Sequence, residues 1–269
     1  MTKLPIGVMA LALFCANAFA QPVGAKLDHV VIAVHDLEAA KKLYSGLGFS
    51  IPSDNGRHPG YGTDDSEPSF NDGYLELLTP YDTSLPVGRE LAEHLKKGDG
   101  AIAAGLQIAS AERTARDLRA AGMKINGPTP GTITRLGDKE PPRPGWWLIT
   151  FGRAQIVDPL MASRPVFLIE YATRPAATGP VAPESDKPTN PNSASSLSAV
   201  LIAVNDVQKA VVEWGKIGNA NDKEIRLPEF GLSGKRSSLK GAKYCSCAQL
   251  IPPVPRLDGS KSVEKEFLR

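Results

Sequence analysis

The sequence predicts an α+β fold built from repeated β-α-β-β-β modules. The first observation behind this prediction is residues 27–49, which read as a buried strand followed at once by an amphipathic helix. The second is that the same order of strand, polar capping residue and helix returns near residue 102 and again near residue 197. With 269 residues and 42% apolar side chains, the chain is long and apolar enough for several such modules.

The first module begins at Leu27. Apolar and β-branched residues run to Val34 and predict a strand that is buried over most of its length, with His29 as an imidazole inside it. Asp36 stands where a helix N-cap accepts backbone N–H groups, and residues 37–46 then follow a helical period. This stretch is therefore a strand-helix unit whose strand carries a polar side chain.

The rest of the first module carries a central carboxylate. A short strand is predicted at Phe49–Ile51, and the polar, glycine-rich residues 56–65 (GRHPGYGTDD) predict a loop. The next strand, Tyr74–Leu78, has Glu76 flanked by leucines. Because burying an unpaired carboxylate is strongly unfavourable, Glu76 is expected to have a partner or to face a solvent-filled cavity.

The second module repeats this pattern. Ser110 takes the capping position, and a helix is predicted over residues 111–122. Residues 127–144 are rich in proline and glycine and predict a loop, and strands are predicted at Trp146–Phe151 and Val166–Tyr171.

The second module lacks an imidazole at the matching place. His29 lies seven residues before the Asp36 cap, and the residue seven before the Ser110 cap is Ala103. Glu170, in the last strand of the second module, is predicted to take the position that Glu76 has in the last strand of the first module.

A third copy follows a linker. Residues 174–196 are rich in proline, serine and asparagine without an apolar period. The stretch from Leu197 then aligns without gaps to the opening strand of the first module, with Ala199 in place of the histidine and Gln249 predicted in place of the glutamate. Residues 254–269 predict a charged, disordered tail.

Residues 1–20 predict a cleaved signal peptide. Lys3 gives a positive start, an apolar segment follows, and Ala18-Phe19-Ala20 forms a small-residue cleavage site before Gln21. We expect a periplasmic or secreted protein without membrane contact after cleavage, with a retained membrane anchor as the alternative. The net charge of +2 gives no electrostatic case for nucleic acid as a partner.

Cys245 and Cys247 are the cysteines that follow the cleavage site. In a strand, C-x-C spacing directs both sulfur atoms to one face at about the upper limit of disulfide spacing. Two partly buried thiols are expected, with a strained disulfide as the alternative. A structural zinc site would need further ligands, and the sequence has no second pair.

These features resemble the vicinal oxygen chelate superfamily, specifically its glyoxalase-like domain proteins. The resemblance rests on the repeated modules, His29, the Glu-bearing end strands, GRHPGYGT at 56–63 and PVFLIEY at 165–171. It implies the glyoxalase/bleomycin-resistance/dihydroxybiphenyl-dioxygenase type of fold, in which curved mixed sheets form an open cleft. The expected organisation is a signal peptide (1–20), a glyoxalase-like domain (21–173, with modules 27–79 and 101–172), the linker (174–196), a degenerate third module (197–253) and the tail (254–269).

The resemblance also implies a divalent metal ion in the cleft, held by first-strand and last-strand residues of two modules. His29, Glu76 and Glu170 are the predicted ligands, and Ala103 departs from the pattern. Under this hypothesis the metal is zinc, nickel, manganese or iron. One imidazole and two carboxylates would leave coordination positions open for water and substrate.

Further side chains are predicted to meet a small-molecule substrate. Glu170 or His58 would move a proton, and Arg57 with His58 would act as a lid on the predicted loop. Tyr74, Trp146 and Trp147 are predicted to line the cleft. Because adjacent residues of a strand face opposite sides, one of the two tryptophans faces the cleft and the other does not.

Two functions remain open at this point. The first is a metal-dependent enzyme of the lyase, isomerase or dioxygenase type that acts on vicinal oxygens. The second is a metal-free protein of the bleomycin-resistance type that sequesters a small apolar or aromatic molecule. The third module either covers the first two or forms a homodimer.

Overall fold

The computed structural model describes residues 23–135, 144–151, 166–172, 189–203, 206–215, 217, 219–227, 232–238 and 244–250. The elements, in chain order, are β1 (Lys26–Ala33), α1 (Leu37–Gly46), β2 (Gly56–His58), β3 (Thr63–Ser66), β4 (Tyr74–Pro80), α2 (Pro86–Leu95), β5 (Gly100–Gln107), α3 (Ala111–Ala120), β6 (Ile125–Gly131), β7 (Thr134–Arg135), β8 (Trp146–Phe151), β9 (Val166–Tyr171), β10 (Ala199–Ala203), α4 (Val207–Trp214), β11 (Asn219–Leu227), β12 (Leu232–Ser238) and β13 (Tyr244–Leu250).

The first two modules share one nine-stranded sheet of order β6-β8-β9-β5-β1-β4-β3-β2-β7. Strands β1 and β5 are antiparallel neighbours at its centre, whereas the pairs β1/β4 and β5/β9 are parallel. The first module contributes β1 to β4 and the second contributes β5 to β9. The predicted α+β fold of β-α-β-β-β modules is therefore confirmed.

Strand β7 brings the two edges of this sheet towards each other. Strand β6 forms one edge, and β7 follows it closely in the chain yet pairs with β2 at the opposite edge. The sheet is therefore strongly curved, and its concave face forms a cleft.

The helix caps follow the sequence pattern in all three modules. The side-chain oxygens of Asp36, Ser110 and Asp206 each accept the backbone N–H three residues later, at 2.9, 3.3 and 3.0 Å. Such a bond satisfies one of the N–H groups that the first helical turn leaves without a partner. The caps thus provide fixed reference points for comparing the modules.

Three local predictions were wrong. Residues 56–65 form a hairpin of β2 and β3 rather than a loop, and Phe49–Ile51 is not a strand. Residues 127–131, predicted as loop, belong to β6. Helix α2, which connects the first two modules, was not predicted.

Separate apolar clusters cover the convex face and the concave face of the main sheet. Helices α1 and α3 cover the convex face, where α3 packs on Leu27, Leu106 and Leu168. The concave face carries a second apolar cluster, to which α2 adds two leucines. The strand residues of that cluster are Val31, Ala33, Leu78, Ile102, Ala103, Leu148, Phe167 and Ile169.

Strands β10 to β13 form a separate sheet of order β10-β13-β12-β11, and α4 lies between β10 and β11 in the chain. Ile202, Ala210 and Ile217 join the apolar cluster that contains Leu27, so this sheet packs against the convex face of the main sheet. Residues 189–196 of the predicted linker also contact the first module, because the buried Asn190 accepts the N–H of Ser50 at 2.8 Å.

Several sequence predictions lie outside the described residues. These are the signal peptide, the tail, most of the linker and the side chains of Cys245 and Cys247, although both cysteines belong to strand β13. Within the described residues, every helix is too short or too polar to span a membrane.

Candidate functional site

A hydrogen-bonded network surrounds His29 on the concave face. The Nδ1 atom of His29 lies 2.7 Å from Oδ2 of Asp28, and the hydroxyl of Tyr171 donates to the same oxygen at 2.6 Å. The hydroxyl of Tyr74 lies 3.0 Å from that of Tyr171, and its ring stacks on the imidazole at 4.5 Å. Since Asp28 accepts at Nδ1, the His29 tautomer has its proton there and a lone pair on Nε2.

An irregularity in β1 makes this arrangement possible. Leu27 pairs with Leu106 and His29 pairs with Gly105, so Asp28 is the extra residue of a β-bulge. The bulge turns His29 onto the concave face while Leu27 stays on the convex face. A Cβ atom at Gly105 would clash with the imidazole, so glycine provides the space in which His29 packs.

Glu76 is the carboxyl group next to His29. Its Oε2 atom lies 3.5 Å from Nε2 of His29. The side chain of Glu76 is 13% exposed and that of His29 is 2% exposed, so the carboxyl group is the part of the pair that reaches the cleft. Burial, together with the carboxylates of Asp65, Glu67 and Asp28, raises the pKa of Glu76 well above its ordinary value.

Asp28 and the two tyrosines differ from Glu76 in the direction or consequence of their pKa shifts. Burial acts to raise the pKa of Asp28, but the hydrogen bonds from His29 and Tyr171 outweigh it and lower this pKa. Burial and the nearby carboxylates raise the pKa values of Tyr74 and Tyr171. Asp28 is therefore ionised and accepts hydrogen bonds, and the two tyrosines are neutral donors. Glu76 differs from Asp28 because its pKa is raised and not lowered.

Strand register corrects the predicted equivalence of Glu170 with Glu76. Relative to the helix caps, Val31 of β1 corresponds to Gly105 of β5. Val31 pairs with Glu76, whereas Gly105 pairs with Phe167. The residue equivalent to Glu76 is therefore Phe167, and the prediction was wrong by three residues.

The same shift applies to the third module. Leu201 corresponds to Val31 and pairs with Ser246, so Ser246 rather than Gln249 takes the position of Glu76.

Glu170 lies on the other face of the sheet. Its carboxylate accepts the backbone N–H of Ala111, at the start of α3. Because side chains alternate along β9, Phe167 and Tyr171 face the concave side and Glu170 does not. Glu170 thus stabilises a helix N-terminus and does not reach His29, which removes it from the predicted metal and proton-transfer sets.

The two tryptophans separate as strand alternation requires. The ring of Trp146 lies on the concave face, 5.4 Å from the ring of His58 and 6.5 Å from that of Tyr61. Trp147 packs against the convex cluster instead. Of the predicted lining residues, Tyr74 and Trp146 therefore belong to the cleft and Trp147 does not.

His58 lies in strand β2 and not on a lid. It is buried on the concave face, with Nδ1 3.1 Å from the hydroxyl of Thr63 and Nε2 3.5 Å from Oδ1 of Asp65. Its neighbour Arg57 points away from the cleft, where it forms two hydrogen bonds to Asp64 and lies 4.1 Å from the centre of the Tyr81 ring. The predicted contact of Arg57 with a substrate is wrong for this reason.

The residues present do not fit the metal site that the family resemblance implies. The four positions are His29 and Glu76 in the first module and Ala103 and Phe167 in the second, so two of them carry no donor atom. Among the described residues, no group of three His, Cys, Asp or Glu side chains is placed to hold a metal ion. The described site is a histidine–glutamate pair with aromatic side chains around it.

Sequence reasoning missed Asp28, Tyr171 and Phe167. Asp28 precedes His29 in the sequence, and two adjacent ionisable residues at the start of a buried strand are the signal that could have found it. Tyr171 adjoins Glu170, and only the strand register shows which of the two faces the cleft.

Comparisons with known proteins agree with this fold. A family model described as a glyoxalase-like domain matches residues 27–218. A hypothetical protein from Staphylococcus aureus has a similar structure, with a TM-score of 0.60 and 15% identity over 84% of this chain and 86% of that chain. No curated protein matches.

Two methylmalonyl-CoA epimerase structures also show similarity. The one in complex with methylmalonyl-CoA and NH4+ has a TM-score of 0.41 and 23% identity over 55% of this chain and 96% of that chain. The enzyme from Mycobacterium tuberculosis has a TM-score of 0.41 and 21% identity over 56% and 91%.

Proposed function

Because the chain belongs to the glyoxalase-like domain family of the vicinal oxygen chelate superfamily, we propose that its concave face binds a small molecule on which Glu76 transfers a proton. One observation carries this proposal: Glu76 faces the cleft 3.5 Å from Nε2 of a buried histidine whose other nitrogen is held by Asp28. A carboxyl group whose pKa is raised by burial is suited to give and take a proton at a higher pH than an ordinary glutamate.

His29 supports Glu76 from behind. Its Nε2 lone pair faces the carboxyl group, and the ionised Asp28 stabilises the imidazolium that forms when His29 accepts a proton. Glu76 therefore has a neighbour that can hold its proton while the carboxylate removes another from the substrate. His29 is almost fully buried, so it acts as a positioning residue and Glu76 contacts the substrate.

The walls of the cleft indicate the kind of substrate. Tyr74 and Phe167 present aromatic surface next to His29, and Trp146 does so next to His58. This lining favours a small molecule with a flat or apolar part. Proton transfer at a carbon next to a carbonyl group is the reaction that one acid–base pair can perform there. The reaction class is accordingly an isomerase or lyase that needs no metal ligand from Ala103 or Phe167.

Hydrogen exchange tests this proposal. In D2O, we expect the protein to incorporate deuterium next to the carbonyl of at least one of pyruvate, methylglyoxal, hydroxyacetone and lactaldehyde, as followed by NMR. Glu76→Gln should lower the exchange rate by at least about a hundredfold, the range found for general acid–base groups. A chelator such as EDTA should leave the rate unchanged.

The control for that experiment is Glu93→Gln. Glu93 is an exposed residue of α2 that pairs with Lys96, so this variant should exchange like the unmodified protein. Equal exchange by Glu76→Gln and the unmodified protein, or full loss of exchange in EDTA, would contradict the assignment of Glu76.

A second candidate function is binding without chemistry. The aromatic side chains around His29 and His58 favour it, because they could stack on an aromatic ligand with no proton transfer. In this case an aromatic compound would stabilise the unmodified protein and Glu76→Gln equally against heat, Trp146→Ala would weaken that stabilisation, and the unmodified protein would exchange no deuterium into the test compounds. Deuterium exchange that is lost in Glu76→Gln would contradict this second candidate.

We also propose that the protein is exported. The support is the sequence of residues 1–20, with Lys3, the apolar segment and the Ala18-Phe19-Ala20 site. Expressed with all 269 residues in a bacterium, the protein recovered from the periplasm should have the intact mass of a chain that begins at Gln21. Ala20→Asp should block this cleavage, and recovery of the uncleaved chain from the cytoplasm in both cases would refute export.

A further inference from the structure

Among the described residues, the first strand of the third module has a neighbouring strand on one side alone. In the main sheet the first strands of two modules, β1 and β5, lie side by side at the centre. The corresponding strand of the third module, β10, is the edge of its own sheet and pairs with β13 alone among the described strands. An edge strand presents N–H and C=O groups on which another strand can pair.

The pairing of β1 with β5 has an internal two-fold symmetry. Val30 and Ala104, each six residues before its helix cap, are directly opposite one another. His29 lies opposite Gly105, and Val31 lies opposite Ala103. Counted from the caps, Ala103 is equivalent to His29 and Gly105 is equivalent to Val31, so the two pairs are the same pair with the modules exchanged. Two identical strands can therefore pair in this register, because the rotation that exchanges them leaves it unchanged.

Strand β10 has the side-chain exposure expected of a missing neighbour. Leu201 is 41% exposed, whereas the equivalent Val31 is 3% exposed because β5 and the concave cluster cover it. Ala199 and Ala203 on the same face of β10 are also exposed, and Ile202 on the opposite face is buried against the main sheet. The exposed residues are thus those that a second module covers in the main sheet.

We propose that two copies of this chain dimerise by antiparallel pairing of their β10 strands. In the register of β1 and β5, Val200 faces Val200 of the partner subunit, and Leu201 faces Ala199 of the partner subunit. The two third-module sheets then form one continuous eight-stranded sheet, four strands from each copy. This places a second concave face at the dimer axis and does not depend on proton transfer by Glu76.

The register can be tested by charge exchange on exposed residues. Ala199→Asp combined with Leu201→Asp sets like charges directly opposite each other in two places. Ala199→Lys combined with Leu201→Asp sets opposite charges there instead. Both positions are exposed in a single chain, so each double variant should keep the fold, as circular dichroism would show.

Sedimentation velocity of the full chain supplies the measurement. We expect twice the mass of one chain for the unmodified protein, and a dimer dissociation constant roughly tenfold to a hundredfold higher for the Asp/Asp variant than for the Lys/Asp variant. Val212→Asp, which changes an exposed apolar residue of α4, should remain a dimer.

Three results would overturn the proposal. The first is an unmodified protein that stays monomeric at all concentrations, as it would if another segment of the same chain covered β10. The second is an Asp/Asp variant that dimerises as well as the unmodified protein. The third is a Lys/Asp variant that is no better a dimer than the Asp/Asp variant, since the register would then be wrong.

Discussion

Replacing Asp28 with alanine is expected to lower the free energy of unfolding by about 3 kcal/mol. Asp28 accepts hydrogen bonds from His29 and from Tyr171, and both of those side chains are largely buried. The variant leaves the imidazole N–H and the hydroxyl without their acceptor in a place where water does not replace it. Urea denaturation, followed by circular dichroism, measures the difference.

The chain contains a matched control for this variant. His35 and Asp99 form a second histidine–aspartate pair, with Nδ1 and Oδ1 2.5 Å apart, but the two side chains are 61% and 51% exposed. Asp99→Ala should therefore change the free energy of unfolding by less than about 1 kcal/mol. A loss of less than about 1 kcal/mol for Asp28→Ala as well would contradict the stabilising role of the Asp28 network.

Tyr171→Phe separates the two bonds that Asp28 accepts. It removes the hydroxyl donor and keeps the ring, so a loss of about 1 kcal/mol is expected. Because His29 keeps its partner in this variant, deuterium exchange by Glu76 should change little. Asp28→Ala, in contrast, should reduce both stability and exchange, since the tautomer and the orientation of His29 then lose their support.

The repeated part of the fold could be predicted because its signals are local. Asp36, Ser110 and Asp206 are capping residues next to an apolar strand, and a cap needs only a side-chain oxygen a few residues before the N–H that it accepts. Three such caps fixed the modules and the order of strand and helix. The position equivalent to His29 in the second module, Ala103, followed from the same count.

The predictions that were wrong depend on strand pairing, and strand pairing joins residues that are far apart in the sequence. The pairing of β5 with β9 joins residues that are about 60 positions apart in the chain, and this pairing decides which residue of β9 lies beside Gly105. The predicted equivalence of Glu170 with Glu76 was wrong because the sequence pattern does not contain this register. In a regular strand, Leu27 and His29 would lie on the same face of the sheet. The bulge at Asp28 places them on opposite faces. Residues 56–65 look like a loop because they are polar, yet β2 and β3 bury polar side chains such as His58 and Asp65 in the cleft.

The pH dependence of stability gives a second large effect, at Glu76. Its pKa is higher in the folded protein than the ordinary value of 4.5, mainly because of burial. Above pH 4.5 the unfolded chain loses this proton while the folded protein keeps it. Stability therefore falls as pH rises, by up to about 1.4 kcal/mol per pH unit, until the raised pKa is passed.

Glu76→Gln removes the titrating group and keeps the shape of the side chain. Relative to the unmodified protein, this variant should gain stability as pH rises above 4.5 and should show little difference below it. Glu93→Gln, on the exposed face of α2, should show no such trend. A stability difference for Glu76→Gln that is the same at every pH would contradict the raised pKa.

The same titration connects stability to chemistry. The pH at which the stability difference stops growing is the pKa of Glu76 in the folded protein without ligand. If Glu76 is the group that removes a proton from the substrate, the rate of deuterium exchange at low substrate concentration should rise with pH through that same value. Agreement of the two midpoints would assign the chemistry to Glu76 through two independent measurements, and a clear separation would assign it to another group.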